Sequence, residues 1–254
     1  MSCCIFIRII MSLREKYLVR TLIVLVVVIE LSLVVLIYTI SGVKGQISWP
    51  DITISDAIID DPSRSIGAFL IPMSAFCILL VIGLRLRRIE SLLRVDRDVW
   101  IWYFTWITLV GMFLGRTGVA AVSLDSQYAL HAVAAAFVYI FGICMYTSIT
   151  IMDDAVGLDR DQSLRYMRIG ICVCMWPILV AGGITVNWVN GAFSILELTL
   201  AVLFLDYFIT FYFKSEFDMK STYGPVPTAE ESIPDIPPIP PLYQILFLFT
   251  VVDM

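Results

Sequence analysis

Residues 21–40 read TLIVLVVVIELSLVVLIYTI, twenty residues with a single charged side chain, Glu30. A helix of that length rises about 30 Å, the thickness of the hydrocarbon core of a bilayer. The segment before it holds Arg8, Arg14, Lys16 and Arg20 against one acid, Glu15. A basic start followed by an apolar run is also the outline of a secretion signal, but such a run is about 7–15 residues long and ends in a small-residue cleavage pattern. This one is longer and lacks the pattern, so it reads as an uncleaved first span.

Further apolar runs follow at about 66–84, 99–115, 128–152, 169–186 and 191–213. The 254-residue chain is 59% hydrophobic and 15% charged, with mean hydropathy +0.90, whereas a soluble domain is about 45–50% apolar and about 25% charged. No room is left for a sizeable soluble domain. The expected fold is all-α: a polytopic membrane protein built as a six-helix transmembrane bundle. Pro72, Pro177 and the pair Gly182 and Gly183 fall inside spans, where neighbouring helices can satisfy the backbone groups they free. Trp100, Trp102, Tyr103 and Trp106 open the third span and suit an interfacial aromatic belt. The expected organisation is a cytosolic segment at 1–20, a membrane domain at 21–213 and an acidic, proline-rich cytosolic tail at 214–254.

Orientation follows from the placement of Lys and Arg. With the N-terminus in the cytosol, 14 of the 17 basic residues fall on the cytosolic side, leaving only Lys44, Arg64 and Arg116 opposite. Both termini are therefore expected in the cytosol. The basic loop at 85–97 is explained by this rule alone, although it would also suit anionic headgroups. The tail carries seven of the eleven prolines, at Pro225 to Pro241. It reads as an extended spacer, with an SH3- or WW-type partner as the functional alternative. Residues 243–252 are apolar but too short to cross a bilayer.

The longest polar interval enters the second span as WPDITISDAIIDDPSRSIGAFLI, residues 49–71. It carries Pro50, Pro62, Arg64 and four acids (Asp51, Asp56, Asp60 and Asp61), and the charge rule places it outside or in a lumen. His131, the one histidine, stands a turn into the fourth span at the same end, ahead of the small residues Ala132, Ala134, Ala135 and Ala136, which permit close helix packing. Asp56, Arg64 and His131 are expected to converge there. Within the spans lie Glu30, Glu197 and Asp206, each of which would cost about 2.5–3.5 kcal/mol if left ionised and alone in the membrane. They read as intramembrane polar sites or as glue between helices. Glu197 and Asp206 are nine residues apart, roughly 900° around a helix, so they face opposite ways.

Other chemistry is poorly represented. Cys3, Cys4, Cys77, Cys144, Cys172 and Cys174 lie in apolar runs or at the N-terminus, so a disulfide-stapled ectodomain is not expected. Cys3 and Cys4 suit cytosolic palmitoylation or an unmodified end. One histidine and a C-x-C pair do not make a metal set, and Asp153, Asp154, Asp159 and Asp161 miss calcium-loop spacing. No nucleotide fingerprint, P-loop or serine-elbow motif occurs. No cofactor and no nucleic-acid partner is expected.

The loop pattern of Pro50, Ser55-Asp56-Ala57 and Pro62-Ser63-Arg64-Ser65, with His131, Ala134–Ala136, Phe137 and Tyr146 in the fourth span, resembles the FRAG/DRAM/SFK family of six-span membrane proteins over about residues 18–215. The proline and serine stand further apart than in its GPI-remodelling members, and Ser63 takes the place of an acid. The resemblance implies a non-enzymatic or accessory endomembrane lipid-handling protein: a GPI-anchor lipid-remodelling factor of the Golgi or ER. Its first luminal loop would meet membrane lipid, here the GPI glycolipid, or a partner through Ser55, Asp56, Arg64 and His131. Two alternatives accompany it. One is a lysosomal or plasma-membrane regulator of autophagy or lipid asymmetry. The other is a membrane acyl- or phospho-transferase with His131 as base and Asp56 as its orienting acid.

Overall fold

The computed structural model describes residues 2–45, 53–90, 96–122, 124–125, 127–155, 162–185 and 190–213; of these, 2–16, 88, 96–98, 190 and 191 are described by backbone alone. Trp49, Pro50 and Asp51 of the polar interval, Asp159 and Asp161, and the whole tail with its proline segment and residues 243–252 lie outside the described residues, as do the side chains of Cys3 and Cys4.

Every described element is helical. α1 runs Ser2–Val43, α2 is the single turn Ile54–Ala57, and α3 runs Ser63–Glu90. α4 (Asp96–Ala121), α5 (Tyr128–Ala155), α6 (Gln162–Thr185) and α7 (Asn190–Phe213) complete the chain. Six of these helices are long and apolar enough to cross a membrane: Tyr17–Val43, Ser63–Arg87, Val99–Ala121, Tyr128–Ala155, Gln162–Thr185 and Ala192–Phe213. They pack as a closed ring in which α1 meets α3, then α4, α5, α6, α7 and α1 again follow in turn. α5 also touches α7, and Gly142 to Thr150 of α5 are all buried. This half of α5 is enclosed by its neighbours, whereas Leu130, Val133 and Phe137 in its first half are exposed. Val28, Leu31, Val35, Ile107, Leu114, Val180 and Ile184 are exposed; in a bilayer these face acyl chains.

The tightest packing joins α4 to α5. A methyl group built on Gly115 would stand 2.7 Å from the Val138 amide nitrogen and 2.8 Å from the Ala134 carbonyl oxygen. On Gly118 it would stand 2.9 Å from the Ala134 methyl, and on Gly111 2.6 Å from the Phe141 ring. Glycines at 111, 115 and 118 repeat at one-turn spacing on one face, and they let α4 lie against the small residues of α5.

Two expectations about boundaries change. Ending the third span at Gly115 put Arg116 in a loop, but the helix continues to Ala121 and Arg116 lies inside it. The segment 153–168 read as a charged loop, but Asp153 and Asp154 end α5 and Arg165 and Arg168 belong to α6. Asp153 and Arg168 are fully buried and Arg85 nearly so. Arg168 Nη1 donates to Asp153 Oδ2 at 2.8 Å and its Nε to Thr210 Oγ1 at 2.7 Å, while Arg85 Nη2 donates to Asp153 Oδ1. Both guanidinium carbons lie within 5 Å of the Phe211 ring centroid, at 4.6 and 4.7 Å, a cation–π arrangement. One carboxylate thus ties α3, α5 and α6 together at the end of the bundle away from α2, and Arg168 extends the cluster to α7 through Thr210.

Candidate functional site

The site is built around α2. A four-residue helix is far below the roughly 12–15 residues at which an isolated helix becomes even marginal in water, so its position depends on caps and tertiary anchors. The caps are local. Thr53 Oγ1 accepts from the Asp56 amide at 3.0 Å, and Asp56 Oδ2 accepts from the Thr53 amide at 3.0 Å and its hydroxyl at 2.7 Å. This is a reciprocal capping box, of a kind that contributes about 1 kcal/mol.

The anchors come from three other helices. Ser41 of α1 donates to the Ala57 carbonyl at 2.9 Å. Glu197 of α7 accepts from the Ile54 amide at 2.9 Å through Oε2 and from the Tyr139 hydroxyl of α5 at 3.0 Å through Oε1. His131 of α5 meets Ser55 Oγ at 3.0 Å through Nε2. Apolar packing completes the seat: Ala57 and Ile58 join Leu33, Ile37 and Ile71 in one buried cluster. α3 approaches so closely that a methyl on Gly67 would touch Ile58 Cγ2 at 3.2 Å. Burying an isoleucine side chain contributes about 1.5–3 kcal/mol, more than the cap.

His131 is 2% exposed. Its Nδ1 lies 2.8 Å from the Val122 carbonyl oxygen. A carbonyl only accepts, so Nδ1 carries the proton in this contact. In the neutral ring that leaves Nε2 as an acceptor, and the Ser55 hydroxyl donates to it.

Beneath α2 a cavity of about 110 Å³ enters the bundle, lined mostly by apolar side chains but also by Ser55, Glu30, Arg116, Tyr139 and Glu197. Arg116 Nη2 and Ser74 Oγ both donate to Glu30 Oε1. Charge on α1 is thus answered by charge on α4 within the spans, which offsets part of the cost of holding either one there alone. A second, smaller cavity of about 10 Å³ lies on the other side of Ser55, lined by Ser55, Ile58, Arg64 and His131 among others. Ser55 borders both cavities.

Of the residues read from the sequence, Ser55 and His131 meet directly and Arg64 shares the small cavity with them. Arg64 is exposed at the start of α3 and has no ion-pair partner among the described residues. Asp56 does not orient His131: its carboxylate is engaged by Thr53, and the Val122 carbonyl holds the ring instead. Glu30 and Glu197 line the larger cavity. Asp206 is exposed on α7 and takes no part. The roles of Arg116 and Tyr139 escaped the sequence reading. The one-turn glycine spacing that runs past Gly115 was the signal that the helix continues through Arg116. For Tyr139, nothing in the local pattern marks it.

Fold and site define a multi-pass membrane protein that holds a polar cluster inside its bundle and a pinned helical turn across one end. Residues 18–218 match the Frag1/DRAM/Sfk1/Cwh43P N-terminal domain, and the chain belongs to that family. No curated protein and no solved structure matches it.

Proposed function

We propose that this chain handles a membrane lipid at the α2 end of its bundle, as a GPI-anchor lipid-remodelling factor of the Golgi or ER with α2 on the luminal side. The observation that carries the reading is the cavity beneath α2, apolar along most of its wall and continuous with Ser55 at the polar end. Lipid chains need an apolar slot, and a headgroup needs hydrogen-bond donors where that slot meets water. Arg64 at the rim supplies a planar fork suited to a phosphate-bearing headgroup.

The test is rescue of cells lacking the Golgi GPI-remodelling factor, read as surface display of GPI-anchored protein by flow cytometry. Wild-type chain should restore display, and Arg64→Ala and His131→Ala should fail to do so at equal expression. A stable wild-type chain that does not restore display, and that collects in lysosomes or at the cell surface, would refute the assignment.

A further inference from the structure

The Ser55–His131 contact has the geometry of an activated nucleophile. A serine hydroxyl is a weak nucleophile by itself and becomes a strong one when a base within about 2.6–3.2 Å takes its proton and a third group orients that base. Here Ser55 Oγ lies 3.0 Å from His131 Nε2, and the Val122 carbonyl, 2.8 Å from Nδ1, holds the tautomer that leaves Nε2 free to accept. The surroundings select the substrate. Ser55 stands where a mostly apolar cavity within the bundle meets a small cavity beside Arg64, which has no ion-pair partner among the described residues. The apolar wall of the first suits an acyl chain, and the exposed Arg64 that borders the second, a space of about one water, suits a phosphate held outside it. The atom lying between those two parts of a glycerolipid is the carboxylic ester carbon.

We propose that Ser55 is a nucleophile that accepts an acyl group from a membrane glycerolipid ester, with His131 as its general base. Ser55 Oγ attacks the ester carbonyl carbon as His131 Nε2 takes the hydroxyl proton. The tetrahedral adduct collapses, the bond from carbon to the glycerol oxygen breaks, and Nε2–H returns the proton to that departing oxygen. The acyl group is now an ester on Ser55 and a lysolipid leaves. An incoming hydroxyl, from a lysolipid or from water, gives its proton to Nε2 and takes the acyl group, and Nε2 reprotonates Ser55. The proposal rests on the lipid-handling reading for its substrate class alone.

The test uses the full chain in phosphatidylcholine nanodiscs and a fluorophosphonate probe, with the adduct located by mass spectrometry. Wild type should be labelled at Ser55, and Ser55→Ala should lose the label. His131→Gln separates chemistry from architecture: its amide oxygen can accept the Ser55 hydrogen bond but cannot take the proton. It should melt with wild type yet label about 10²–10⁴-fold more slowly, the usual contribution of a general base. His131→Asn, which keeps a donor near Val122 and also lacks a base, stands in if Gln misfolds. Label absent from Ser55 in wild type, or equal labelling rates in wild type and the folded His131 variant, would overturn the proposal. Release of labelled fatty acid to water or to added lysolipid then distinguishes hydrolysis from transfer, and release of neither would also overturn it. In the cell assay, Ser55→Ala should lose rescue. Full rescue by Ser55→Ala would sink the acyl-serine and leave the lipid-handling reading in place, whereas failure of wild type to rescue refutes only the GPI assignment.

Discussion

Replacing Gly115 by alanine should destabilise the bundle although alanine is the better helix former. In a helix interior the exchange gains about 0.5–1 kcal/mol. Gly170 is the internal control, because a methyl there meets nothing within 4 Å, so Gly170→Ala should show that gain undisturbed. At Gly115 the new methyl lies 2.7 Å from a backbone nitrogen and 2.8 Å from a backbone oxygen. Ordinary contact begins near 3.4 Å, so the two helices must separate by about 0.7 Å. Backbone cannot swing aside as a side-chain tip can, and overpacking of this kind costs about 1–3 kcal/mol. The propensity gain is common to both variants, so the net loss against Gly170→Ala is the overpacking cost itself, about 1–3 kcal/mol. At about 2–4 °C per kcal/mol for a chain of this size, Gly115→Ala should melt roughly 2–12 °C below Gly170→Ala, followed as loss of monodisperse protein in mild detergent. Equal melting of the two variants, or a higher value for Gly115→Ala, would refute the close approach of α4 and α5.

Asp153→Asn removes the carboxylate shared by Arg85 and Arg168. Breaking a buried pair from one side costs about 3–5 kcal/mol, so the variant should yield little monodisperse protein, and a wild-type yield would contradict the clamp. Glu197→Leu removes both acceptors that hold Ile54 and Tyr139, a loss of about 1–3 kcal/mol at a net 0.5–1.5 kcal/mol per hydrogen bond. Amide exchange at Ile54 should accelerate by about tenfold while exchange in the middle of α5 is unchanged, and unaltered exchange at Ile54 would show that Glu197 is not its anchor.

The six spans were legible because hydropathy over about twenty residues is a property of each segment alone. Their ends were less so. A charge was taken as the end of a span at Arg116 and at Asp153, yet each charge is answered by one from another helix, Glu30 in the first case and Arg85 with Arg168 in the second. Pairings of that kind join positions far apart in the chain and leave no local trace. Ser55, Arg64 and His131 could be picked out individually, because they stand at the same end of their spans. Their partners could not. Asp56 looked like the natural orienting acid for His131, but a three-residue capping box to Thr53 is closer and claims it, and the orienting oxygen is a backbone carbonyl, which no side-chain pattern reveals.

Residues 53–57 each have one separate duty: Thr53 and Asp56 close the cap, the Ile54 amide meets Glu197, the Ser55 hydroxyl meets His131, and the Ala57 carbonyl meets Ser41. Consecutive helical positions differ by about 100° in direction, so these contacts exist in only one register. Adding or removing a single residue within the five would turn every later contact by about a quarter of a circle and release them together. Length variation between relatives should therefore spare the five-residue turn, which is inherited whole.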